Sequence, residues 1–247
     1  MVGALLCCVL LLGGDPVRSI AQGDGAFARI AYPEAVEEYQ QGLRASPDDR
    51  QLLWRLARVS VCMAEVEENA AKRTALLQQA EDAARHAIAI DSTLAEAHTW
   101  LAGALGYRAL EAGMSDQVRI SQEIMYETAT AIRLDPTDDG ALSIRGSFYR
   151  ALGNVGWVKR QLAGLLLGSV PDGGFAEGEA ALKAAIHYAP DIMRHWYELG
   201  VLYIDWGKPE EARRALREAV GKDVRTAIDR PRKEKAQKLL RELEEKD

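Results

Sequence analysis

Aromatic side chains are scarce in this chain: Phe, Trp and Tyr make up 6% of its 247 residues. Sandwiches and barrels rest on aromatic and β-branched residues, so this shortage, beside abundant Ala, Leu, Glu and Arg, points to helices. Cysteine is scarcer still, with three residues, Cys7, Cys8 and Cys62. Two of them lie in an N-terminal apolar run, which leaves Cys62 alone in the remainder and without a disulfide partner there. No Gly-X-Y period or Gln/Asn tract occurs, and 21 glycines with 8 prolines are an ordinary share. Collagen-like and low-complexity readings are thereby removed. Positive charge is in deficit, with a formal net charge of −6 and a pI of about 5.4. Surfaces that recognise phosphates are usually basic, so the balance argues against nucleic acid as a partner. What is present is 48% hydrophobic and 28% charged residues, enough apolar material for a real core.

Residues Ala4 to Leu12 form an apolar run of nine, followed by Gly13, Gly14, Asp15 and Pro16 and by the small residues Ser19 and Ala21. The run is about half a bilayer span, and small side chains at −3 and −1 suit a signal peptidase, although no Lys or Arg precedes it. The resulting expectation is a signal peptide over residues 1–21 cut after Ala21, a linker over 22–32 and one folded domain over 33–247. Cleavage implies an exported protein, periplasmic or extracellular; an uncleaved N-terminus implies a membrane anchor.

Residues 190–224 carry Trp196, Leu199, Gly200 and Tyr203, then Ala212, Leu216 and Ala219. This is the spacing of the 34-residue tetratricopeptide helix-turn-helix unit. Gly200 and Ala212 let two helix axes approach, while Trp196, Leu199, Tyr203 and Leu216 fill the space between them. The register runs backwards from the residue ending each second helix to a position six residues on: Pro190 to Trp196, Pro136 to Leu142, Ser92 to His98 and Pro47 to Leu53. Ala35, Tyr39 and Gly42 mark one more second helix before Pro47. The fold class expected is all-α, a tetratricopeptide-like right-handed solenoid of four antiparallel helix pairs with a half repeat in front.

The steps between those markers are 45, 44 and 54 residues. The first two exceed the 34-residue unit by 11 and 10, which predicts that both helices of the middle pairs lengthen by about a turn and a half. The third exceeds it by 20 and predicts an inserted helix, because Val155, Val158, Leu162, Leu165 and Leu166 repeat at helical spacing before a Gly-rich turn at 168–174. At the other end, Ala236, Leu239, Leu240 and Leu243 form one apolar stripe on a charged helix, as a solenoid's C-terminal capping helix requires.

With its long middle pairs, the segment Trp157-Val158-Lys159-Arg160-Gln161-Leu162-Ala163, the turn Leu167-Gly168-Ser169-Val170-Pro171, and the ending Lys222-Asp223-Val224-Arg225-Thr226 followed by Asp229, the chain resembles the regulator of microtubule dynamics family. The resemblance runs from about residue 33 to 245. It implies a tetratricopeptide-like helical domain without catalytic machinery; some eukaryotic members are linked to microtubules, mitochondria or membrane contact sites. Export would place this chain where no microtubule exists, so the resemblance bears on the fold more than on the cellular role.

Chemical motifs are missing. His86, His98, His187 and His195 make no paired spacing that fixes zinc on one helix. His98 stands where the repeat wants a core aromatic and reads as a core histidine, and Asp82 with His86 reads as a solvated helical pair. No Gly-x-Ser-x-Gly elbow occurs, and Leu202 stands where a phosphate loop ending in Gly207-Lys208 requires glycine. Cys62 lies in Val-Cys-Met on an apolar face with no basic cluster to activate it. The sequence offers no enzyme, metal or cofactor signal.

A binding surface remains. In solenoids of helix pairs the first helices line the concave face, and the projection puts Trp54, Arg58, Thr99, Tyr107, Ser147 and Tyr197 there, with Arg150 and Arg194 nearby and Trp157 and Arg160 on the insertion. The arginines either present paired donors to a carboxylate or phosphate or bridge acidic neighbours in solvent. Two function classes follow. A scaffold for a protein or peptide needs a wet, mixed groove. A carrier of an apolar ligand such as a lipid, motivated by Leu162 to Leu167 beside Trp157 and Arg160, needs a closed apolar cavity with a charged mouth.

Overall fold

The computed structural model describes residues 15–155 and 172–245, and every regular element among them is an α-helix. The first begins on a cap: Asp15 accepts a hydrogen bond from Val17 N at 3.0 Å, and Pro16 occupies a first-turn position that needs no donor. This helix, α1 (Pro16–Ala28), pairs with α2 (Tyr32–Ala45). Residues 22–28 are therefore helix, not the linker expected there, and α1 starts inside the segment read as a signal peptide. Packing explains it. Gly23 lies against the Tyr39 ring, Ala26 is fully buried, and the Tyr39 hydroxyl donates to Asp24 at 2.7 Å. The half repeat expected before Pro47 is thus a complete one.

Four further pairs follow: α3 (Arg50–Ala64) with α4 (Ala70–Ile90), α5 (Ala95–Glu111) with α6 (Met114–Leu134), α7 (Asp139–Asn154) with α8 (Phe175–Tyr188), and α9 (Met193–Asp205) with α10 (Pro209–Gly221). The last helix, α11 (Asp229–Glu244), lays Ala236, Leu239, Leu240 and Leu243 on α9 and α10, as the apolar stripe requires. Small residues set the pair spacing. On α8, a Cβ at Gly178 would stand 3.1 Å from the Gly146 carbonyl oxygen of α7, so the two backbones touch.

The long middle pairs differ from the expectation of equal lengthening. Both α4 and α6 have 21 residues against 13 in α10, whereas α3 and α5 have 15 and 17 against 13 in α9. The extra turns sit at the N-termini of α4 and α6, where the first buried residues are Leu77 and Ile120. Such overhangs are solvated and add no core, so they leave pair packing untouched. Arg73 pins one of them, with Nη2 2.6 Å from Glu111 Oε1. The segment expected to hold an inserted helix, with Trp157, Arg160 and Leu162 to Leu166, lies outside the described residues.

His98 is buried between α5 and α6, as expected of a core histidine. Its Nδ1 lies 2.5 Å from Glu127 Oε2 and its Nε2 3.0 Å from the Ser92 carbonyl oxygen. Both neighbours accept when Glu127 is ionised, so the protonated ring can donate from both nitrogens. Burial opposes the charge, but the bonds to Glu127 and Ser92 prevail and hold the pKa above its ordinary 6.5. A pKa raised by folding stabilises fully below the unfolded value, and that stabilisation is lost as pH rises through the folded value. The melting temperature of the parent should therefore fall relative to His98→Gln as pH is raised from 6 upward. Thermal melts of both proteins check this, and a pH-independent difference rejects it.

Candidate binding cavity on the concave face

The first helices α1, α3, α5, α7 and α9 pack side by side, which puts them on one inner face. That face carries a half-open cavity of about 540 Å³. Phe27, Arg58, Cys62, Thr99 and Trp100 form its helical walls, with the turn from Asp135 to Gly140 and the start of α9 from Ile192 to His195. Arg225, Thr226, Asp229 and Arg232 close it from the C-terminal side. The chain thus returns to its beginning. Ala227 N donates to the Tyr32 hydroxyl oxygen at 3.1 Å, and Arg232 Nη2 reaches Glu65 Oε1 at 3.1 Å.

The arginines of the cavity already have counter-ions. Glu65, at the end of α3, is buried and receives Arg232, the Tyr107 hydroxyl at 2.5 Å and Arg194 Nη1 at 3.4 Å. Burial disfavours its charge, yet Arg194 and Arg232 outweigh that and hold the carboxyl below its usual range. Arg58 donates to Asp24 at 2.8 Å and to the Tyr39 hydroxyl oxygen at 3.2 Å, with its guanidinium 3.9 Å over the Phe27 ring.

The acids are not so matched. Glu96, Asp135, Asp138 and Asp139 all line the cavity, and among the described residues none of them pairs with Lys or Arg. Asp138 caps α7 through Ala141 N at 2.8 Å and accepts from the Thr99 hydroxyl at 2.5 Å. Its burial, with Asp139 and Asp135 adding like charge, pushes its pKa up. Asp139 lies 2.8 Å from His195 Nε2, its one side-chain partner among the described residues. His195 is 1% exposed, and its Nδ1 has no partner among the described residues. Arg225 stands at the rim, 4.0 Å from Asp191. Burial pushes the Cys62 thiol up to about 12, which makes it a protonated wall group, as its apolar setting implied. No group of three His, Cys, Asp or Glu among the described residues is placed to hold a metal ion.

Of the ten projected groove residues, Arg58, Thr99 and Arg194 line the cavity, and Tyr107 stands behind it on Glu65. Trp54 and Tyr197 are buried instead: Trp54 under the guanidinium of Arg55 at 4.2 Å, Tyr197 in the core with Met193 and Leu216. Arg150 binds Asp205 at 2.9 Å and Glu198 at 3.8 Å, and Ser147 binds Glu198 at 3.1 Å, so these two bridge acidic neighbours away from the cavity. Trp157 and Arg160 lie outside the described residues. Sequence reasoning missed Glu65, Asp138, Asp139, His195 and Arg232. The Asp138-Asp139 pair after Pro136 had a local signal, a helix cap beside a second acid; Glu65 and Arg232 had none.

Stacked antiparallel helix pairs whose first helices line one face make this a tetratricopeptide-like helical-repeat protein. Solved structures share the fold: a thermophilic TPR protein of Thermus thermophilus matches with a TM-score of 0.67 at 19% identity, over 90% of this chain and 99% of its own. PilW, a type IV pilus biogenesis factor, matches with a TM-score of 0.56 at 16% identity, over 94% of this chain and 91% of its own. The family model for regulator of microtubule dynamics protein 1-3 matches residues 20–244, and the chain belongs to that family. Regulator of microtubule dynamics protein 1 of Caenorhabditis elegans is 22% identical over 204 residues, covering 83% of this chain and 90% of the relative. The Mus musculus protein 1 is 25% identical over 199 residues, covering 78% of this chain, and the chain spans 64% of its length.

Proposed function

We propose that the protein is a non-enzymatic scaffold whose concave cavity holds a protein or peptide segment bearing Lys or Arg. One observation carries this: among the described residues Glu96, Asp135, Asp138 and Asp139 line the cavity without a Lys or Arg partner, while Arg58 is already matched by Asp24, Arg194 and Arg232 by Glu65, and Arg225 stands at the rim 4.0 Å from Asp191. A cation loses hydration on entering, and such carboxylates offset that loss with charge-assisted hydrogen bonds. Trp100, among the walls, supports the aliphatic stem of the entering side chain. The charges stand inside the cavity as well as at its mouth, which favours the scaffold over a lipid carrier. The relatives' name links them to microtubules; for this chain the reading requires only a basic segment, whichever protein presents it. Export stays part of the proposal; a cut after Ala21 would remove the first six residues of α1, Pro16 to Ala21.

Fluorescence anisotropy with labelled peptides of equal length tests the partner chemistry. A Lys/Arg-rich peptide should bind, a Glu-rich one should not, and added salt should weaken the complex. Asp138→Asn with Asp139→Asn should lower affinity at least tenfold, because Asn keeps the α7 cap but not the charge. Equal binding of acidic and basic peptides rejects the reading.

A further inference from the structure

The two ends of the solenoid meet without close backbone approach. Among the described residues, no Cα of α9, α10 or α11 lies within 8 Å of one in α1, α2 or α3. The join consists of side chains and one connecting segment. Glu65 Oε1 takes Arg232 at 3.1 Å and Arg194 at 3.4 Å, and Ala227, the apolar residue of the connection that packs on the N-terminal core, donates its N–H to Tyr32. Asp229 holds the connection in shape by accepting from Arg225 N at 2.9 Å and Thr226 N at 2.8 Å.

We infer that this join is a reversible clasp, centred on Glu65 and Arg232, whose opening admits a partner segment to the cavity. Its use rests on the peptide-binding reading above; its mechanics do not. A permanent junction between repeats is made as α4 packs on α5, with rows of buried apolar side chains. Here the closing groups are charged or hydroxylic, and two buried polar atoms beside the join, Arg194 Nε and Thr226 Oγ1, have no partner among the described residues. Salt and competing ions weaken charge pairs once water reaches them, and leave apolar packing intact. A basic segment also supplies the differential interaction that a population shift needs. As the C-terminal segment swings away, an entering Lys or Arg replaces Arg232 on Glu65.

Hydrogen exchange read by mass spectrometry on the full chain tests the clasp without any ligand. Arg232→Met keeps the side-chain stem and removes the charge. It should raise exchange in residues 222–232 at least tenfold while α9 and α10 stay protected. Tyr32→Phe, which removes only the acceptor of Ala227, should give a smaller rise, and Arg232→Lys should restore most of the protection. Unchanged exchange in Arg232→Met, or loss of protection throughout α9 and α10, overturns the clasp, since the join would then be rigid or part of the core. If the segment opens but the basic peptide binds no faster to Arg232→Met than to the parent, the clasp stands as a mechanical device and its role in access is overturned. If no variant binds the peptide at all, the failure belongs to the peptide reading.

Discussion

Gly200→Leu is expected to destabilise the protein by about 3 kcal/mol or more, at the upper end of what overpacking a helix contact costs. A Cβ at position 200 would stand 2.7 Å from both Cγ and Cδ2 of Leu216 and 3.4 Å from Leu216 N. Leu216 is fully buried with Met193, Tyr197 and Ala236 around it, so its side chain has nowhere to retreat and α10 must move away from α9. Removing a helical glycine returns roughly 0.5 to 1 kcal/mol of backbone entropy, too little to offset the clash. For a chain of this size each kcal/mol moves the melting temperature by roughly 2 to 4 °C, so a fall of about 6 to 12 °C is expected. Cys62→Ser should cost about 1 kcal/mol, because the new hydroxyl faces the polar cavity rather than closed core. Melts followed by circular dichroism compare the two. A Gly200→Leu protein that melts like its parent would show that position 200 is not a helix contact.

The same contact shows why the register of the repeats is legible in the sequence. Close helix approach admits only Gly or Ala, so Gly200, Ala212 and Ala219 mark it locally, and the turns at Pro47, Ser92, Pro136 and Pro190 punctuate it. The first helix is harder to read for a related reason. Ser19, Gly23 and Ala26 are the small residues that close packing against α2 and α3 requires, and small residues after an apolar run also make a peptidase site. Asp15 caps α1 and Pro16 opens it, but the neighbouring apolar run gave those residues a second meaning. Helix lengths were underdetermined too: periodicity counts the extra residues of α4 and α6 without saying which side of the turn they join, and solvated overhangs leave no apolar mark. In the site, Arg58, Thr99 and Arg194 follow from repeat geometry, which is regular. Trp54 and Tyr197 do not, because Trp54 packs into the N-terminal core under Arg55 and Tyr197 against Met193 and Leu216. Glu65 and Arg232 are 167 residues apart, and no local pattern joins them.

Asp24→Ala should cost about 2 kcal/mol, a value set by hydrogen bonds to charged groups and reduced because Asp24 is partly solvated. Asp24 accepts from the Tyr39 hydroxyl at 2.7 Å, from Arg55 Nε at 2.9 Å and from Arg58 Nη2 at 2.8 Å. Without it, two largely buried guanidiniums lose their carboxylate; Arg55 keeps Gln51, while Arg58 keeps only the Tyr39 hydroxyl and the faces of Phe27 and Trp54. Asp24→Asn, which retains an acceptor and the shape, should lose about half as much. The pH dependence separates this from simple loss of packing. Burial raises the Asp24 pKa, but its bonds to Tyr39 and Arg55 and the charges of Arg55 and Arg58 prevail and hold it below 3.8. A pKa depressed by folding gives stability that is present above the unfolded value and lost as pH falls through the folded one. The parent and Asp24→Ala should therefore differ most above pH 4 and converge as the pH drops below it. A chain lacking residues 1–21 keeps Asp24 but loses Ser19 and the capped start of α1, so it should melt below the full chain while keeping the acid sensitivity of Asp24. Should that shortened chain melt with the parent, α1 would be dispensable and the first repeat would begin at α2.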